Sequence, residues 1–338
     1  MASTNIKKNH IHSFDLIRII AILMVLFNHT NKHGFTLYTF VRPGVSYWLS
    51  IGEAVLCKAA VPLFMMVSGS LLLKKKESVK ETLQRRVLPF TIILCVMYFL
   101  QYLRLIRAQW YTSFSIRQYI SFLFGENPIV TYWFLRTYLI YLICLPILRL
   151  FAQNMTDDVF KLFFGIKAVL SLLSIIEIAA DIPVTLSVPL TDDFIIFPIF
   201  GYWIFEHRNN KFKADIPVLL GVLLAASVFA HTMYQSKGIG EACFTPFVWL
   251  ISVVLFHSIV LLEFKNDHPA LKTVGGCVFG IYLIEDIVRN RLMFLFPLLT
   301  PIITELGAAN VFVAAVFGVA LVIIVIGKKI PVIRFFLR

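Results

Sequence analysis

The stretch Arg18–His29, RIIAILMVLFNH, sets an apolar run between a guanidinium and an imidazole. Its interior has the composition of a membrane span, yet both ends carry groups that hydrocarbon excludes. At 100° per residue the separation from 18 to 29 is three turns plus about 20°. The two side chains therefore share one helix face, roughly 16 Å apart along the axis. Asp15 lies one turn before Arg18, placed to pair with it or steer it. Such a face has to turn toward a polar cavity or the bundle interior. Snorkelling of Arg18 to the headgroups and a cross-helix hydrogen bond of His29 are the structural alternatives.

The rest of the chain supplies the setting. It has 338 residues, of which 59% are hydrophobic and 15% charged, against about half and a quarter in soluble domains. Apolar runs of roughly 20 residues, the length that crosses a bilayer, recur from end to end. They parse as ten spans: 14–33, 52–73, 87–107, 130–151, 158–179, 190–206, 215–234, 244–263, 275–297 and 308–327. Backbone in lipid must satisfy its own hydrogen bonds, and nothing alternates like a barrel strand. The fold class is an all-α integral membrane protein, a bundle of about ten transmembrane helices in a cell membrane.

Nineteen of the 31 Lys and Arg fall on the side that holds the N-terminus and eight on the other, with Arg18, Lys58, Arg136 and Lys167 inside spans. Basic residues favour the cytoplasm, so both termini are expected there. The net charge of +12 then reflects topology and attraction to anionic membrane lipids. No nucleic-acid module is visible, and nucleic acid is not expected as a partner. The N-terminal run lacks a small-residue cleavage site and is read as a retained first span. The five cysteines have neither paired nor metal-type spacing. Residues 1–338 are read as a single multi-span domain without a soluble extracytoplasmic one. Within the longer outer connectors, 34–51 and 108–129, SFSIRQYISFLF suits an interfacial segment or an aromatic belt.

Further polar clusters interrupt the apolar runs. Val61–Lys76, VPLFMMVSGSLLLKKK, carries Ser68-Gly69-Ser70, which allows close helix packing or a backbone opening near a ligand. It leads into a basic loop with Lys74, Lys80 and QRRVLPF. There Arg85 and Arg86 stand just before Pro89, at a helix start suited to a phosphate. Thr131–Pro146, TYWFLRTYLIYLICLP, brings Trp133, Arg136 and Tyr138 to the outer end of span four. Arg136 there is an ion-pair partner or a contact to sugar or carboxylate. In Phe279–Arg291, FGIYLIEDIVRNR, Tyr282 precedes Glu285, and Glu285 and Arg289 are spaced for an ion pair on one helix. Pairs among Glu53, Lys58 and Glu177 are also expected. HTNKH has i,i+4 histidines but neither a general-base Glu nor a third ligand, so no metal is expected.

Together these motifs resemble the membrane-bound acyltransferase family 3. The likeness rests on FDLIRIIAILMVLFNH with its Arg18-to-His29 spacing, PLFMMVSGSLL, RRVLPF, YWFLRTYLIYLICLP, FPIFGYWI (Phe197–Ile204) and FGIYLIED, in the family's order over residues 14–286. Two positions depart from the family pattern. Glu285 stands where the family often has His, and Arg85-Arg86 are adjacent where two arginines are often three apart.

The resemblance implies transfer of an acyl group, most often acetyl, from cytoplasmic acyl-CoA to a hydroxyl of a cell-envelope glycan or lipid-linked saccharide. On that basis His29, Arg18 and Asp15 are the catalytic candidates, with His29 as base or transient acyl carrier. Arg85, Arg86, Ser68 and Lys74 are candidates for holding acetyl-CoA, and Trp133, Arg136, Tyr282 and Glu285 for the acceptor. The rival reading is a transporter or flippase of a polar lipid or anionic metabolite, using the same charges without chemistry. A non-catalytic membrane sensor is a third, and predicts that Arg18 and His29 tolerate substitution.

Overall fold

The computed structural model describes residues 10–125, 132–186, 188, 190–208, 216–264, 266–331 and 334. Thr131, named above, and six of the nineteen basic residues on the N-terminal side (Lys7, Lys8, Lys211, Lys213, Lys265 and Arg338) lie outside the described residues. Those described form helices and no strand. Seven segments are long and apolar enough to cross a membrane. They are Val45–Leu72, Val79–Arg107, Trp133–Gln153, Asp157–Ala180, Ile216–Lys237, Glu241–Val260 and Glu305–Gly327.

The first helix, α1 (His12–Asn28), is 17 residues long. It begins with Asp15 in its first turn, where a carboxylate meets the positive end of the helix dipole. It is followed by α2 (Val45–Cys57) and α3 (Ala60–Leu72). These make one crossing, broken at Lys58-Ala59. The expected second span opened at 52, but the helix starts at Val45. Residues 45–51, expected within the connector 34–51, are helical because Tyr47 and Ile51 are fully buried and draw that turn into the bundle. At the break, the Asn28 amide donates to the Cys57 carbonyl at 2.9 Å, satisfying an oxygen that the interrupted helix leaves free.

The basic loop folds back as α4 (Val79–Thr82), opened by a reciprocal cap between Ser78 and Glu81. A wide π-turn, Leu83–Val87, joins it to α5 (Leu88–Arg107). Pro89 is the cause: it offers no N–H to the Arg85 carbonyl and its ring crowds that oxygen, so the turn widens. The segment read as interfacial forms α6 (Ile116–Phe124), largely exposed and capped by Ser115.

Next come α7 (Trp133–Gln153), α8 (Asp157–Ala180), α9 (Asp193–Glu206) and α10 (Ile216–Lys237). Then follow α11 (Thr245–Val260), α12 (Pro269–Gly275), α13 (Val278–Leu292), α14 (Leu295–Leu299) and α15 (Glu305–Gly327). The ninth expected span is thus three helices, interrupted at Gly276-Cys277 and Met293-Phe294. The helices α9 and α13, with 14 and 15 residues, are shorter than a straight crossing needs.

Side-chain contacts at both ends set the helix directions. Asp15 packs on Gly275 and His29 reaches Arg289, so α1 and α13 run in parallel. Arg104 at the end of α5 meets Asp286 of α13, while Arg149 at the end of α7 meets the basic loop. The exterior is apolar: on α8 only Phe163 is buried, while Leu162, Val169, Leu172 and Ile176 stand exposed. Water would not tolerate such a face; lipid does.

The helices α3 and α9 cross without room between them. A Cβ on Gly69 would overlap the Pro198 backbone, and one on Gly201 would overlap Met66. Ser70 Oγ donates across the crossing to the Gly201 carbonyl at 2.7 Å. The Ser-Gly-Ser segment and FPIFGYWI are therefore two sides of one contact, of the small-residue kind that membrane helices use.

Candidate active site

A cavity of about 1300 Å³ runs through the bundle beside α1. Its wall joins the two ends of the opening motif, for both Arg18 and His29 line it. The same cavity is lined by Ser68, Arg85, Arg86, Trp133 and Tyr282. Asp15 and Glu285 sit behind the wall, 1% and 0% exposed, each against one of the two motif residues. Lys74 and Arg136 are placed elsewhere. Lys74 lies 3.6 Å from Glu206 and over the Phe205 ring, and Arg136 donates to the Gly125 carbonyl at 2.7 Å, tying α7 to the end of α6.

Arg18 Nη1 donates to Asp15 Oδ1 at 3.2 Å. The carboxylate is backed by Gly275, where an added Cβ would lie 2.5 Å from the Asp15 Cβ. A glycine at that position lets α12 press Asp15 against Arg18, and both Gly275 and Gly276 open onto the cavity.

His29 stands at the end of α1, where its carbonyl accepts from Arg289 Nη1 at 3.1 Å. Its Nδ1 is 2.9 Å from Glu285 Oε1. The other Glu285 oxygen is 3.4 Å from Arg289 Nε. Arg289 Nη2 donates in turn to Asp286 Oδ1 at 2.6 Å, and Asp286 also meets Arg104. Nδ1 lies against a buried carboxylate at ion-pair distance without hydrogen-bond alignment, so Glu285 places a negative charge beside the imidazole and Nε2 is the nitrogen left for chemistry. The expected Glu285–Arg289 pair is present, but Glu285 has a second partner in His29.

At the other end, Glu77 gathers the basic residues. Arg86 Nη2 donates to Glu77 Oε1 at 2.7 Å, and Arg149 Nη2 to Oε2 at 2.7 Å. Arg149 is buried and also donates to the Leu72 carbonyl and to Thr82 Oγ1. Arg86 is thereby held at the cavity wall, while Arg85, nearer solvent, pairs more loosely with Glu81 at 3.7 Å.

The Arg86 and Arg149 hydrogen bonds, Arg86 foremost, pull the Glu77 carboxyl down from its ordinary 4.5 to about 2. The folded form thus holds this proton less tightly than the unfolded chain does. The resulting stability is whole above about pH 4.5 and is lost as pH falls toward 2. In detergent, the wild type is expected to lose melting temperature between pH 5 and pH 3 more steeply than Glu77→Gln. Parallel curves would count against this role.

Sequence reasoning missed several polar members of the site. Asp286 and Arg104 join only through tertiary contact, and Arg104 had been counted as an outer-side charge. Lys58, at the break between α2 and α3, lines the cavity and pairs with Glu241 at 2.8 Å. Glu53 instead accepts from Asn310, and Glu177 from the Val184 N–H.

Known proteins were compared against this geometry. A family model described as an acyltransferase domain, that of acyltransferase family 3, matches residues 11–327. No curated protein and no solved structure matches the chain. Nearly the whole described bundle, including every wall of the cavity, lies inside the matched region, and the chain belongs to the acyltransferase family 3 of multi-pass membrane proteins.

Proposed function

We propose that this membrane acyltransferase takes an acyl group, acetyl foremost, from cytoplasmic acyl-CoA and passes it to a hydroxyl of an envelope glycan or lipid-linked saccharide. One observation carries this reading. A single cavity holds the guanidinia of Arg18, Arg85 and Arg86 at one end and His29, backed by buried Glu285, further in. Guanidinia suit the phosphates of a CoA thioester, and its slender pantetheine arm fits a passage between helices. In the proposed topology of ten passes with both termini cytoplasmic, Arg85 and Arg86 would lie on the side where soluble CoA is found.

In the proposed step, His29 Nε2 takes the acceptor hydroxyl's proton as that oxygen bonds to the thioester carbonyl carbon. The C–S bond then breaks, and the proton passes to the departing thiolate. Arg18, steadied by Asp15, binds the donor on its way and is suited to draw charge from its carbonyl oxygen. Trp133 and Tyr282 offer aromatic surface and a hydroxyl to an acceptor; Arg136 and Lys74 act from outside the cavity, if on substrate at all. His29 as transient acyl carrier uses the same geometry.

The test supplies labelled acetyl-CoA and extracted envelope glycans to purified protein in liposomes. Label joined covalently to glycan is the expected result. Transport of the label or of a polar lipid without any acylated product would replace this reading with the transporter.

A further inference from the structure

Just before the catalytic face of α1, three potential metal ligands converge. His10, His12 and Asp15 each present a nitrogen or oxygen atom, all within 4.8 Å of one another. His10 Nε2 meets Asp15 Oδ2, and the His10 and His12 rings lie 5.1 Å apart. His12 is 7% exposed, and its Nδ1 is buried without a hydrogen-bond partner. A buried, unpartnered imidazole nitrogen costs free energy unless something binds it.

The second nitrogen of His12, Nε2, is 3.0 Å from Asp267 Oδ1 on the loop before α12 and accepts from the His268 N–H at 3.4 Å. With an ion on Nδ1, the imidazole would carry its proton on Nε2 and turn it to Asp267 in place of the His268 contact. Asp15 is divided in the same way. One oxygen faces His10, and the other accepts from Arg18 at 3.2 Å, so a cation on the first oxygen does not displace the guanidinium.

The geometry points to a divalent-cation site formed by His10, His12 and Asp15, with Asp267 orienting His12. Two imidazoles and one carboxylate suit zinc, with a fourth position for water or a ligand oxygen. The ion would lock the start of α1 and the Asp15 carboxylate that steadies Arg18. That consequence for Arg18 rests on the donor-path reading, whereas zinc binding itself does not. The sequence pointed away from a metal because the only pair with suggestive spacing was His29 and His33. In the structure these diverge, His29 toward Glu285 and His33 onto the Phe296 ring.

The test uses the full chain, stripped with a chelator and then given Zn²⁺ alone. Metal retained through gel filtration is counted, and Kd is read by competition with a chromophoric chelator. About one zinc per chain is expected in the wild type, with Kd at least tenfold weaker in His10→Ala and His12→Ala. Because His12 is buried, its variant is open to misfolding. His10, 37% exposed in its side chain, supplies the variant that decides the matter: without metal it should still melt cooperatively and elute as the wild type does. No zinc on the folded wild type, or equal Kd in wild type and His10→Ala, would overturn the site, whether or not acyl transfer is found.

Discussion

Replacing His29 by alanine is expected to lower acyl transfer by about 10²–10⁴-fold, the range for removing a positioned general base. The fold should survive. His29 caps α1 through its backbone, with its N–H on the Val25 carbonyl and its own carbonyl on Arg289, and alanine keeps both contacts. Glu285 still has Arg289 beside it. The variant should therefore melt near the wild type and still bind CoA, so that the loss falls on the chemical step. Initial rates of label transfer and a melting curve on the same sample check this. A folded His29→Ala that transfers at the wild-type rate would refute the mechanism and leave the family assignment standing.

Glu285→Gln has the second large expected effect, and it acts on two levels. The carboxylate is fully buried between His29 and Arg289. Glutamine keeps its volume but not its charge, so Arg289 loses one of its two acidic partners and His29 loses the negative charge beside its Nδ1. Breaking a buried charged network costs about 3–5 kcal/mol when a charge is left unpaired. Asp286 remains on Arg289, so the loss should fall below that range. Transfer should drop at least tenfold with donor KM little changed, since Arg18, Arg85 and Arg86 are untouched. A variant with lower melting temperature but full activity would make Glu285 a purely structural ion-pair partner.

The features that were legible in the sequence are those with a local signature. Length and apolarity located the helices, and helical periodicity put Arg18 and His29 on one face, both on the cavity wall. Gly69 flagged close packing. What was not legible depends on which helices meet. Glu285 has a local partner four residues on, and nothing in its neighbourhood discloses His29. Nothing local marks Arg149 as buried; α7 brings it against Leu72, Glu77 and Thr82. Lys58 has Glu53 nearby in sequence, but the break at Lys58-Ala59 turns it toward Glu241. Interrupted helices hide in the same way, since a stretch such as 275–297 reads as one span despite its charges, and its breaks come from packing.

The central claim is that one cavity carries the donor from Arg85 and Arg86 to His29. A structure of the protein with bound CoA, determined by cryo-electron microscopy, tests this most directly. The account predicts phosphate density against Arg85 and Arg86, the pantetheine arm passing Arg18, and the sulfur in reach of His29, within about 4 Å of Nε2 or one bridging acyl group away. CoA bound outside the cavity, or lying within it with its thiol directed away from His29, would contradict it.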